Sequence, residues 1–95
     1  MNLNEIPEAL CQKLRIKIIS SLVQSSKTFN ELLELTDSTK GNLSVQLTKL
    51  EEWGYITSKK VIENKKTKST YTISDTGLTQ FEEYVLLLKK IIDRM

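Results

Sequence analysis

The feature that most constrains the fold is a change of periodicity at Gly54. Before it, apolar residues recur every three or four positions; after it, β-branched and aromatic residues crowd two short runs. The first pattern demands helices packed on one side, the second demands paired strands. Leu10, Leu14, Ile18 and Leu22 recur at steps of four with Ile19 and Val23 beside them. They predict an amphipathic helix from about Pro7 to Ser25, with Pro7 in its first turn. Thr28 followed by Glu31 fits a capping box, and Phe29, Leu32, Leu33 and Leu35 supply the buried side of a short second helix. Thr36-Asp37-Ser38 reads as a turn. A third helix is predicted from about Thr39 to Trp53, capped by Asp37 or Ser38, with Leu43, Leu47 and Leu50 on its inner edge and Gly54 as a left-handed stop.

Beyond Gly54, Tyr55–Glu63 and 69–73 predict an antiparallel hairpin around a five-residue tip, Asn64-Lys65-Lys66-Thr67-Lys68. Val61 and Ile62 are adjacent and apolar, which leaves room for a bulge. A last helix begins at Ser74 or Asp75 and runs to about Arg94. Its apolar residues Phe81, Tyr84, Val85, Leu87, Leu88, Ile91, Ile92 and Met95 exceed what one face of a small core needs. Surplus of that kind marks an interface, so Phe81, Tyr84, Val85, Leu87, Leu88, Ile91 and Ile92 are the expected dimer contacts, with Leu3, Ile6 and Leu10 as candidates to join them.

Chemistry-bearing residues are few. The 95 residues include no histidine and one cysteine, Cys11, read here as inert packing rather than a redox sensor. That excludes an internal disulfide and a Cys/His metal cluster, and it removes the usual acid–base group. The longest apolar run, Val85–Leu88, is too short to span a bilayer, which takes about 20 residues. The first residues carry neither a basic segment nor an apolar stretch, so no secretory signal is expected and the location is taken as cytoplasmic. Net charge is only +2, but it is unevenly spread. Between Ser38 and Thr70 seven lysines face three glutamates, giving +4, so the remaining residues sum to −2. One half of the chain is polarised toward a polyanion.

At about 100° per residue, the face of the third helix opposite its leucines carries Ser38, Gly41, Val45, Thr48 and Glu52, flanked by Asn42, Ser44 and Lys49. A plain solvated face carries Glu and Lys throughout; this one is short-chained and mostly uncharged. Thr39 and Lys40 open the same helix. Val45 can meet a thymine methyl, Asn42 or Gln46 can pair with adenine, and Lys40 or Lys49 can reach guanine or phosphate. Gly41 weakens the helix by about 1 kcal/mol relative to alanine, a cost that makes sense if another backbone must come close. In the hairpin, Lys59, Lys60, Lys65, Lys66 and Lys68 are the expected phosphate or minor-groove contacts.

The order helix, short helix, turn, helix, hairpin, long helix resembles the winged-helix transcription regulators, close to the MarR and ArsR groups and closest to their short, single-domain relatives. The resemblance lies in residues 29–36, in Gly41-Asn42-Leu43-Ser44 through Leu47, Leu50, Glu51, Gly54, Tyr55 and Ile56, and in the junction 70–77. It implies a mainly α fold with a small antiparallel β-hairpin: a three-helix core, a wing and a C-terminal dimerisation helix. The chain is then one domain, 1–95, with about 7–73 as helix-turn-helix and wing and 74–95 as the last helix.

The expected function is sequence-specific binding of double-stranded DNA by a homodimer, most simply as a repressor, with no enzymatic activity. The third helix would sit in the major groove and the lysine-rich wing on the backbone. A winged-helix adaptor that binds protein, or an RNA-binding module, is the alternative. No membrane, metal or cofactor is expected. The ArsR groups often sense metal through clustered Cys and His, which are missing here. The larger MarR-type proteins enclose an effector with extra helices this chain lacks, so no small-molecule effector is expected. The third helix also lacks arginine, which leaves guanine reading to lysine, a poorer fork.

Overall fold

In the computed structural model, which describes residues 1–95, the apolar stripes close on a common core. Helices α1 (Lys13–Gln24), α2 (Phe29–Thr36) and α3 (Lys40–Glu52) bury Ile18, Ile19, Leu22, Leu32, Leu43, Leu47 and Leu50 against one another. Each such side chain contributes about 1.5–3 kcal/mol on removal from water.

The first helix is shorter than expected. The chain before it forms two 3-10 turns, Leu3–Glu5 and Glu8–Leu10, with Pro7 capping the second rather than opening α1. Gln12 is extended, and the helix starts at Lys13. Arg15 supplies the reason. Its guanidinium takes the carbonyls of Glu8 at 2.9 Å and Ala9 at 3.2 Å, the groups a continuous helix would give to amides four residues on. Leu10 still enters the core, from the 3-10 turn. Its spacing reported burial, not helix continuity.

A two-residue strand, β1 (Lys27–Thr28), follows α1 where only a helix end was expected. It pairs with β3 (Lys66–Ile73), which pairs in turn with β2 (Ile56–Glu63), giving an antiparallel sheet of order β1-β3-β2. Thr28 is also the cap of α2. Its hydroxyl accepts from the Glu31 amide at 3.2 Å, and the Glu31 carboxylate accepts from the Thr28 amide at 2.9 Å, as the spacing predicts. That backbone bond, with help from the Thr28 hydroxyl, holds the Glu31 carboxyl below the ordinary carboxylate range. On the inner side of α2 Leu35 is exposed, contrary to expectation. Thr36 is buried instead, its hydroxyl donating to the Leu32 carbonyl at 2.7 Å.

The last helix, α4 (Asp75–Asp93), is knotted to the base of the wing. Gly54 takes φ 78° as expected of a helix stop. The Ser74 hydroxyl donates to the Gly54 carbonyl at 2.6 Å and accepts from the Gly77 amide at 3.0 Å, and the Ser74 amide donates to the Tyr55 carbonyl at 2.9 Å. A Cβ on Gly77 would sit 2.3 Å from the Tyr55 carbonyl oxygen, so only glycine permits this approach. Phe81 and Tyr84 pack on the core, and beyond them α4 is exposed except at the half-buried Leu87. The molecule is drawn out to 54 Å along its long axis. No helix is long and apolar enough to cross a membrane.

Candidate nucleic-acid interface

The start of α3 is built by its turn. Asp37 adopts the left-handed region at φ 50°, and Thr39, rather than Asp37 or Ser38, caps the helix by accepting from the Asn42 amide at 3.2 Å. Ser38 is half-buried, its hydroxyl 2.8 Å from that of Thr36, so it braces the turn. From there the inner residues Leu43, Leu47 and Leu50 are buried, and Thr39, Lys40, Gly41, Asn42, Ser44, Val45, Thr48 and Lys49 all reach solvent. Val45 is 51 % exposed, a β-branched apolar side chain half open to solvent. The Thr48 hydroxyl donates to the Ser44 carbonyl at 3.0 Å, so it is already engaged by the helix backbone.

Gln46 is not on this face. It is 8 % exposed, and its Oε1 accepts from Arg15 Nη1 at 2.9 Å, so the expectation that it can read adenine is corrected. Arg15 itself was missed by sequence reasoning. It is 5 % exposed, bonds both carbonyls of the preceding 3-10 turn, and lies 5.2 Å from the centroid of the Trp53 ring. A charged residue inside an apolar stripe, followed at 53 by an aromatic that can take a cation, was the signal to read. The network ties the N-terminal turns to the middle and end of α3.

The wing differs from expectation at its tip. The turn is Asn64-Lys65 alone, both at positive φ (53° and 63°), and the ladder runs unbroken from Ile56↔Ile73 to Glu63↔Lys66, with no bulge at Val61 and Ile62. A two-residue turn of this shape suits the twist of the strands and favours glycine at its second position. Lysine there is a local departure from the rule, of the kind that marks functional positions. Lys66 and Lys68 therefore belong to β3, and alternation divides the basic residues. Lys60 and Ile62 extend the face that carries the buried Ile56; Lys59, Lys66 and Lys68 occupy the other, together with Glu63.

Glu63 bonds Lys68 at 3.4 Å and stands opposite Lys66 in the ladder. An exposed pair of this sort adds little stability, about 0–1 kcal/mol, but it withholds a cation from any polyanion. Glu63→Gln is expected to strengthen binding to any duplex by up to about eightfold at ~0.1 M salt and to steepen the salt dependence by up to ~0.9. Titrations at several salt concentrations read both, and unchanged values would place this face away from phosphate.

On α4, Val85, Leu86, Leu88, Ile91 and Ile92 are exposed, while Leu87 is half-buried and Phe81 and Tyr84 serve the core. Leu86, at 56 % exposure, was not singled out from the sequence. Val23, Leu78, Phe81, Val85 and Leu86 line an apolar groove between α1 and α4. Leu10 is fully enclosed and closed to any interface, whereas Leu3 is exposed. Cys11 is exposed at the break before α1, not packed, with its Sγ 3.3 Å from the Pro7 carbonyl.

The winged helix DNA-binding domain family matches residues 14–92. An uncharacterized protein of Methanocaldococcus jannaschii is 34 % identical over 73 residues, 76 % of this chain and 79 % of that one. A solved transcriptional regulator homologue from Pyrococcus horikoshii superposes with a TM-score of 0.85 at 28 % identity, covering 96 % of this chain and 93 % of its own. A structure from Enterococcus faecalis assigned to the MarR family of transcriptional regulators superposes at 0.81 with 19 % identity, covering 97 % and 89 %, a likeness of fold.

Proposed function

The chain belongs to the winged helix DNA-binding domain family, a family of DNA-binding regulators and not of enzymes, and from that premise we propose that it is a homodimeric repressor that reads duplex DNA through α3. The observation that carries this is the exposed edge of α3. Gly41, Asn42, Ser44, Val45 and Thr48 are small or uncharged, stand clear of the protein, and lie opposite three buried leucines. In this reading α3 enters the major groove, with Lys40 and Lys49 at its ends and the wing lysines on the flanking backbone. The apolar stripe of α4 pairs two protomers, so the half-sites stand about 34–36 Å apart or a multiple of that.

An RNA-binding module would call for exposed aromatics on which bases stack, and Tyr55 and Tyr71 do not supply them. Tyr55 is buried and Tyr71 packs on the core, and burial pushes both phenols above their usual range. Selection from a random duplex library is the test. It is expected to enrich two inverted half-sites; absence of enrichment, or partner binding insensitive to salt, would favour the protein-interaction alternative.

Gly41 supplies a second check. A Cβ there meets nothing within 4 Å in the free protein. Gly41→Ala is therefore expected to stabilise the fold by about 0.5–1 kcal/mol, while weakening duplex binding. Thermal unfolding beside a binding titration reads both; higher stability with undiminished affinity would mean that no DNA strand approaches this turn.

A further inference from the structure

A polar groove of about 410 Å³ runs between the first turn of α1 and the start of α3, lined by Gln12, Lys13 and Lys17 on one side and Asn42 and Gln46 on the other. Neither the reading face of α3 nor the wing accounts for it. Gln46 is the informative residue. A guanidinium can only donate, so the bond from Arg15 Nη1 to Gln46 Oε1 fixes which way the amide faces. Its Nε2 end must point away from Arg15, and it donates to no acceptor in the protein. No fully enclosed side-chain nitrogen or oxygen lacks a partner, so Nε2 is not sealed in, and the groove that Gln46 lines is the space open to it. A residue more than nine-tenths buried thus offers a donor beside a polar groove.

The surroundings suit an oxyanion. Gln12 gives α1 no side-chain cap, and the amides of Lys13, Leu14 and Arg15 donate to nothing in the protein, so the positive end of the helix faces outward. Lys13 is exposed at this end, and Lys17 is held with its Nζ 3.1 Å from the Thr36 carbonyl. Asp37 is the one carboxylate on the lining, outnumbered by the two lysines. Asn42, which also lines the groove, belongs to the exposed face of α3.

We propose that this groove seats one DNA backbone phosphate, the one flanking the bases that α3 reads. Gln46 Nε2 and the α1 amides donate to its oxygens, Lys13 neutralises it, and Arg15 acts through Gln46 as a positioning residue. This rests on the DNA-binding reading and adds a third anchor, from α1, to α3 and the wing.

The test uses the full chain and a duplex it binds, with single neutral methylphosphonates placed along each strand. One position is expected to weaken the wild type, and Lys13→Ala to be insensitive at that position. On the unmodified duplex, Lys13→Ala is expected to bind about eightfold more weakly at ~0.1 M salt, with a salt slope flatter by ~0.9. Gln46→Glu keeps an acceptor for Arg15 but replaces the donor with a carboxylate oxygen. Its unfolding midpoint should hold while affinity falls about ten- to a hundredfold. If no methylphosphonate position couples to Lys13, the proposal is overturned even though the protein binds DNA. Inorganic phosphate that shifts the Lys13 and Gln46 nuclear magnetic resonance signals without such coupling would mark a free-anion site and overturn it equally. A wild type that binds no duplex overturns the DNA-binding reading itself, and this one with it.

Discussion

Replacing Lys65, Lys66 and Lys68 together with alanine is expected to weaken binding to every duplex, whatever its sequence, by about 60- to 500-fold at ~0.1 M salt. Each phosphate neutralised by lysine releases counterions, so affinity scales with salt to about the −0.9 power per phosphate, a factor of about eight at ~0.1 M. The lower figure corresponds to about two phosphates no longer neutralised and the upper to about three. The lower one applies if Lys68 stays committed to Glu63, which it meets at 3.4 Å. The salt slope should flatten by about 1.8–2.7 over the same range. Substitutions at Asn42 or Val45 should behave differently, changing which sequences are preferred and leaving the slope alone. Equal effects from the two sets would remove the distinction between a reading helix and a backbone-holding wing.

The second large effect is on stability. Arg15→Met keeps an unbranched chain beside Trp53 but strips the donors from the carbonyls of Glu8 and Ala9 and from Gln46 Oε1. Leaving a buried polar group without its partner costs about 1–3 kcal/mol, and some of these acceptors regain water, so a loss of about 2–4 kcal/mol is expected. For a domain of this size that lowers the thermal midpoint by about 10–25 °C. The Glu8–Arg15 ion pair adds little to this, because the Glu8 carboxylate is largely solvated at 3.6 Å. Unfolding curves read the change. A loss under about 0.5 kcal/mol would class Arg15 with ordinary surface substitutions and deny it any role in joining the N-terminal turns to α3.

What the sequence made legible was whatever repeats along a single element. Leu43, Leu47 and Leu50 announced α3 and its buried edge, Thr28 with Glu31 announced the start of α2, and the β-prone runs announced a wing. What it hid depends on distant partners. The break at Cys11 and Gln12 follows from a guanidinium that claims two backbone carbonyls, and spacing alone cannot see that claim. β1 has two residues, too few for any pattern, and exists because β3 offers it an edge. The tip of the wing looked like five loop residues because lysine and asparagine signal no strand, yet the ladder continues through Lys66 and Lys68. Gln46 stands at the border between the exposed Val45 and the buried Leu47, and its bond to Arg15 shows which way it turns. The α4 stripe was evident as surplus hydrophobicity, but which members serve the core, Phe81 and Tyr84, required the packing itself.

The most direct test is a map of backbone amide resonances as a selected duplex is added. The amides of residues 40–49 and of the wing, 59–68, should shift or broaden together, and variants at Asn42 should move the α3 signals without releasing the wing. If residues 40–49 stay unperturbed while DNA binds elsewhere on the protein, α3 is not the element that enters the groove.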